Sequence, residues 1–296
     1  MKRRDFLKKT AVASSAICFP GFFNLEGAAA NSLVVKVRGE SPAEITKRAI
    51  KELGGMGKFV SKQDIVMVKP NIAWNRSVEQ AGNTNPEVVQ TIIELVLEAG
   101  AKKVIVMDNT THKAEDTYKR SGIEAAAKKA GAEVRYADEN RLVTHDFKGE
   151  KLKRWPIFKD YLEVDKFINV PILKHHGSAF LTIAMKNLFG IIGGNRGKLH
   201  RDMGDNIADL AYGFKSHLTI VDAYRVLMWN GPTGGRLSDV ELKKTVIASA
   251  NIMEADVIAA GLYGKAPGTV PAIQAAFNRK MGNIELAKIN LRTINT

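Results

Sequence analysis

With 296 residues, 45% of them hydrophobic and 25% charged, the chain can bury a sizeable core, which excludes disorder for its bulk. A single cysteine, Cys18, excludes an intrachain disulfide and any cysteine-ligated zinc or iron–sulfur cluster. The formal charge of +13 is scattered rather than massed in one run, so it points to anionic partners and away from nucleic acid.

The chain opens on a basic segment, Lys2-Arg3-Arg4-Asp5-Phe6-Leu7-Lys8-Lys9, followed by a weakly apolar stretch over 11–23 and by Ala28-Ala29-Ala30. This order resembles a twin-arginine export signal over residues 1–30. It implies the twin-arginine translocase as a partner, export of the folded chain to the periplasm or another extracytoplasmic space, and cleavage near Ala30. The apolar stretch is short and broken by Ser14, Ser15, Pro20 and Gly21, and nothing later is longer, so no membrane span is expected in the mature protein. Cleavage would remove Cys18 and leave no thiol.

Residues 31–296 read as a single α/β domain. A β-branched run over 32–37 predicts a strand, and 42–53 has helical periodicity ending at Gly54-Gly55. Residues 64–69 form a continuous apolar run, the pattern of a strand buried on both faces. The stretch 86–99 predicts an amphipathic helix capped by Asn85, opened by Pro86 and closed by Gly100. Further strands are expected over 103–107, 133–136, 166–173, 218–221 and 245–249. Helices are expected over 121–130, 181–189, 205–214, 255–262 and 272–281, with Asn206, Asp209 and Lys215 on a helix surface. Residues 138–161 are charged and aromatic without a period, which suits a rim insertion or a β-hairpin. The alternation as a whole predicts an α/β fold with a mainly parallel sheet and helices on both faces.

Four of these strands end in polar groups. One runs into Lys69-Pro70-Asn71, one into Asp108-Asn109-Thr110-Thr111-His112, one into Lys174-His175-His176-Gly177 and one into Asp222. Ligands of open parallel sheets bind beyond the carboxyl ends of the strands, so these groups are expected to converge, with Lys186, on one cleft. The glycine-rich stretch from Gly190 through Gly193 and Gly194 is not a phosphate loop, because Ile192 and Leu199 occupy positions that motif reserves for Gly and Ser or Thr. Flanked by Arg196 and Lys198, it still suits a more permissive anion loop. His175, His176 and His200 are candidate ligands for a divalent metal through nitrogen.

Lys-Pro-Asn at 69–71, Asn-Thr-Asn-Pro-Glu-Val-Val at 83–89, Asn-Val-Pro-Ile-Leu-Lys-His-His at 169–176, Met-Lys-Asn-Leu-Phe-Gly at 185–190, Val-Asp-Ala at 221–223, Asn-Gly-Pro at 230–232 and Ala-Asp-Val at 255–257 follow one another in order. In this order the chain resembles domain-of-unknown-function family 362 over almost its whole mature length. The resemblance implies no reaction. Some members of that family are exported by the twin-arginine route, and others are fused to iron–sulfur segments whose cysteines this chain lacks. The order His176, Lys186, glycine-rich stretch, His200 is also similar to the cofactor-binding stretch of the pincer-nickel lactate racemases. That similarity implies Lys186 as an anchor with His176 and His200 flanking it.

Together these readings describe an exported, metal- or cofactor-dependent enzyme acting on a small anionic molecule in a basic cleft. Lys69, Asp108, Lys174 and Lys186 are the candidate catalytic groups, and Asn71, Asn187, Gly190, Gly193 and Gly194 the candidate cofactor-binding ones. The rival is a non-catalytic periplasmic binding or accessory protein. No iron–sulfur cluster is expected under either. Because the export motif is read by a receptor rather than through bulk charge, changing Arg3 and Arg4 to Lys is expected to leave the precursor uncut in the cytoplasm. Normal export of that variant, seen by fractionation, would refute the signal.

Overall fold

The computed structural model describes residues 32–296, so the segment expected to direct export lies outside the described residues. Strand β1 (Val34–Arg38) leads into α1 (Pro42–Glu52), whose first turn is capped by Ser41. Strand β2 (Ile65–Pro70) is followed by α2 (Pro86–Glu98), where Asn85 accepts from the Glu87 amide as its spacing predicts. After β3 (Lys103–Asp108) a helix that the sequence reading lacks, α3 (Ala114–Arg120), precedes the expected one over 121–130, which is α4 (Ile123–Lys129). Gly122, at φ 74°, makes the turn between them. Strand β4 (Glu133–Tyr136) completes this half, and the unpatterned segment after it folds into an antiparallel pair, β5 (Leu142–Asp146) and β6 (Arg154–Phe158).

The strand expected over 166–173 is broken. Pro171 has no N–H for a ladder bond, so β7 (Lys166–Val170) stops before it and β8 (Ile172–His176) starts after it, no longer paired with β2. The helix expected over 181–189 is mostly not one. Residues Phe180–Thr182 form β9, paired antiparallel with β8, and only Ala184–Asn187 forms α5 before a 3-10 turn. Helix α6 (Met203–Gly213) precedes β10 (Leu218–Leu227) and β11 (Val240–Ser249), both far longer than their apolar cores suggest. Helices α7 (Ile252–Tyr263) and α8 (Pro271–Asn278) and edge strand β12 (Leu291–Asn295) close the chain.

The main sheet runs β12-β1-β11-β10-β7-β2-β3-β4, with β8 alongside β10 and β9 on β8. From β10 to β4 all neighbours are parallel, while β11 is antiparallel to both β10 and β1. One apolar layer packs Ile45, Ile92, Tyr118 and Ile123 of α1–α4 against Val66 and Val68 of β2. The opposite layer packs Met185, Leu210, Val257 and Ile273 of α5–α8, with Phe147 and Phe158 of the β5–β6 region, against Met67 and Phe167. The fold is thus α/β, with a mostly parallel sheet and helices on both faces. Among the described residues no helix is long and apolar enough to cross a membrane. Side chains alternate along a strand, so Lys69 shares the Met67 face and Asn169 the Phe167 face, opposite one another in the β2–β7 register.

Asn206 and Asp209 are buried rather than on a helix surface. Asp209 is fully enclosed and accepts from the amides of Glu150, Lys151 and Leu152 at 3.2, 2.8 and 2.9 Å and from Arg279 Nε at 2.7 Å, tying the loop between β5 and β6 to α6. Asp209→Ala leaves three amides and the Nε of the buried Arg279 guanidinium without their acceptor. It is expected to cost about 3–5 kcal/mol, and a fall in Tm on the order of 10 °C would show it. An unchanged melting curve would refute this role.

Candidate functional site

The carboxyl edge of the parallel strands opens into a cleft of about 440 Å³. Its floor is the pair Lys69–Asp108, Nζ to Oδ1 2.7 Å, essentially inaccessible to solvent. Lys69 Nζ also donates to the Pro70 carbonyl and to Asn187 Oδ1, both at 3.0 Å, so two hydrogen bonds and the ion pair fix it in place. The other oxygen of Asp108 accepts from the Ile72 amide at 2.6 Å. Asn187, on α5, is the hub above this pair. Its Oδ1 also accepts from Asn71 Nδ2 at 3.0 Å, and its Nδ2 donates to Asn169 Oδ1 at 2.9 Å and to the Lys69 carbonyl at 3.3 Å.

Helix α5 has four residues and cannot hold itself. Asp256 of α7 accepts from its first amides, Ala184 at 2.7 Å and Met185 at 3.1 Å, while Asn169 donates to the Ala184 carbonyl. Burial pushes the Asp256 carboxyl up to about 7, against the pull of those two amides. On the other side, Thr84 staples the loop after β2. It accepts from the Asn71 amide at 2.9 Å and donates to the Val170 carbonyl at 2.8 Å.

The cations above the floor are less well matched. Buried Lys174 donates to Gly82 O at 2.5 Å and Asn71 Oδ1 at 3.2 Å. Burial, with the Lys69 charge against the opposing pull of Asp108, brings its amine down to about 7. Lys186 lies with Nζ 3.4 Å from the Phe189 ring centroid and has no hydrogen-bond acceptor among the described residues. Burial, then Arg196, Lys174 and Lys69, bring this amine down to about 7 as well. Arg196 gives three N–H groups to the carbonyls of Asn109, Phe189 and Thr110, which leaves two of its five without an acceptor among the described residues. His176 accepts the Ala179 amide on Nδ1; burial, then the Lys186 and Lys174 charges, hold it neutral, down at about 3.

Of the residues singled out from sequence, Lys69, Asn71, Asp108, Lys174, His176, Lys186, Asn187, Gly190, Gly194 and His200 line this cleft. His175, Gly193 and Asp222 do not. His175 turns to the β10–β11 connection and takes the Gly231 amide on Nδ1 at 3.0 Å. Gly193 lies under Leu142, and its amide and carbonyl are used by the Pro156 carbonyl and the Trp155 indole. Asp222 is buried beside α2, accepting the Asn85 and Tyr224 amides. Among the described residues no three or more His, Cys, Asp or Glu side chains gather as a metal site.

The sequence marks Arg196 only as a flank of the glycine-rich stretch, and it does not mark Asn169 or Asp256 as supports. Their available signal is polarity in the wrong place: an Asn inside the apolar run of β7 and an Asp inside the apolar helix α7.

A mostly parallel α/β sheet with a cation-lined cleft at its carboxyl edge defines the class of protein. The model of the family described as Domain of unknown function (DUF362) matches residues 66–261, and the chain belongs to that family. A thylakoid-associated protein of Synechocystis is 27% identical over 234 residues, 76% of this chain and 71% of the relative. Among solved structures, a Thermotoga maritima protein aligns with TM-score 0.40 and 13% identity over 81% of this chain and 60% of its own. The lactate racemase apoprotein of Thermoanaerobacterium thermosaccharolyticum aligns with TM-score 0.41 and 12% identity over 78% and 57%. The chain therefore spans less than two thirds of either solved structure.

Gly190 shows how tightly the floor is closed. A Cβ there would stand 1.8 Å from Asp108 Oδ1 and 2.6 Å from Lys69 Nζ. Gly190→Ala is therefore expected to split the buried pair at a cost of about 3 kcal/mol or more. Gly261→Ala, where a Cβ meets nothing within 4 Å, is expected to be neutral or to gain up to about 1 kcal/mol in α7. Denaturant titrations of the two variants check this, and equal stabilities would refute the steric role.

Proposed function

We propose that the protein acts on a small anionic molecule held in this cleft, with Lys186 and Lys174 as the working amines and Arg196 as a fixed charge. The observation that carries this reading is the imbalance of partners. Three lysines and an arginine line the cleft with one carboxylate, Asp108, and that carboxylate is already spent on Lys69. A negatively charged guest supplies the missing partner. The same cations that hold His176 neutral would repel a divalent metal, which weighs against a metal held by His176 and His200. A purely receptive protein needs cations, but it has no use for an amine brought close to neutrality, which favours an enzyme. Export by the twin-arginine signal is the delivery route this reading keeps.

A second reading has one observation behind it: His176, Lys186 and His200 share the cleft. On that reading Lys186 anchors a cofactor loaded before export. Intact-mass analysis of protein purified from its exporting host separates the two, since an adduct on Lys186 favours the second.

The pH dependence of the first reading has a definite sign. Lys174 and Lys186 carry charge below about 7 and lose it above. Sulfate keeps its charge across this range, so its affinity, measured by titration calorimetry, is expected to fall about tenfold or more between about pH 6 and about pH 9. Lys186→Gln should weaken binding at the acid end and flatten the profile. Sulfate affinity indifferent to both pH and this substitution would refute an anion site.

A further inference from the structure

We propose that the Lys186 amine forms an imine with an aldehyde or ketone that carries an anionic group, the small α-oxo acids being the class that fits. The inference rests on the anion site above and names its substrate class.

The argument begins with what each amine has already given away. Lys69 has three acceptors and Lys174 has two, so their positions are fixed by the protein. Lys186 has none among the described residues and rests on the face of Phe189. An ammonium group placed for binding within the protein would have a carbonyl or carboxylate in reach; this one has an aromatic ring and neighbouring cations. Burial and those cations bring it to about 7, so near neutrality a substantial fraction carries a free lone pair. Arg196 lines the same cleft with two N–H groups to spare, a match for a carboxylate placed beside the reacting carbonyl.

The chemistry balances without an oxidant or reductant. The Lys186 nitrogen lone pair adds to the carbonyl carbon, and a proton passes from nitrogen to the former carbonyl oxygen to give a carbinolamine. Protonation of that hydroxyl lets it leave as water, and the C–N bond becomes an imine. Lys174, whose amine also titrates near 7 and lines the cleft, is placed to give and recover these protons.

The test uses pyruvate as probe and sodium borohydride to reduce the imine to a stable secondary amine. Intact-mass measurement and peptide mapping of the unmodified protein are expected to show one pyruvate-derived group, on Lys186. With pyruvate saturating at every pH, the yield should rise as pH passes upward through about 7. It should be lost with Lys186→Arg, be strongly reduced with acetaldehyde, which lacks the anionic group, and be absent with acetate, which lacks the carbonyl. Peptide mapping locates the adduct whether or not the variant folds. Pyruvate that binds by calorimetry yet leaves no adduct would overturn the imine while the anion site stands. Trapping spread over surface lysines, or a Lys186 already modified in the purified protein, would also overturn it. If neither sulfate nor pyruvate binds, both readings fall.

Discussion

The buried pair Lys69–Asp108 is the constraint on which the rest of the site depends. Two charges withdrawn from water cost more than their mutual attraction returns unless every remaining donor and acceptor is satisfied. Here the cost is offset by the Pro70 carbonyl and Asn187 on the lysine and by the Ile72 amide on the aspartate. Pro70 and Ile72 belong to the exit of β2 and Asn187 to α5, while the aspartate itself ends β3. Meeting the demands of one ion pair therefore fixes the exit of β2, the end of β3 and the position of α5 together. Gly190 completes the enclosure, since any side chain there would enter the space the pair occupies.

The same accounting separates three lysines that look alike in sequence. Lys69 has spent donors on two hydrogen bonds and an ion pair and acts as an internal strut. Lys174 has spent two and is held in place without a carboxylate of its own. Lys186 has spent none on a hydrogen bond within the described residues. Reactivity should follow the reverse of that order, because burial lowers all three amines but fixed acceptors hold Lys69 and Lys174 in place, whereas Lys186 is free to turn to a guest.

Much of this was legible in the sequence because continuous apolar runs and capped amphipathic stretches have few structural alternatives. The run 64–69, the helix capped by Asn85 and the polar residues ending parallel strands led to the sheet and to one edge of it. What was not legible depends on pairing. Pro171 splits one run into two strands that share β10 but of which only the first pairs with β2, and Phe180–Thr182 becomes a strand only because β8 lies beside it. The two adjacent histidines illustrate the same limit. Successive residues of a strand point to opposite sides, so His176 enters the cleft while His175 turns to Gly231, and no local pattern says which does which. Asp222 likewise follows an apolar run, yet the demand of the Asn85 and Tyr224 amides draws it away from the cleft.

The titrating groups around α5 show that this arrangement is held at the expense of stability near neutrality. Asp256 has a folded value of about 7 against 3.8 for the free side chain, so its ionised form is penalised in the fold. That penalty grows as pH rises from 3.8 and is complete above about 7. Lys174 and Lys186 are lowered from 10.5 to about 7, so their penalty is complete below about 7 and disappears only as pH climbs toward 10.5. The two effects overlap at neutral pH, where the carboxylate under α5 and the amines above it are all disfavoured by the fold. Packing optimised for stability alone would have replaced these groups with apolar ones. An anion in the cleft relieves the amine half of the strain by restoring a partner to each ammonium, and an imine relieves it by turning the Lys186 amine into a group that can remain neutral. The part of the penalty borne by Asp256 stays in either case, because it is what holds a four-residue helix, and Asn187 with it, over the buried pair.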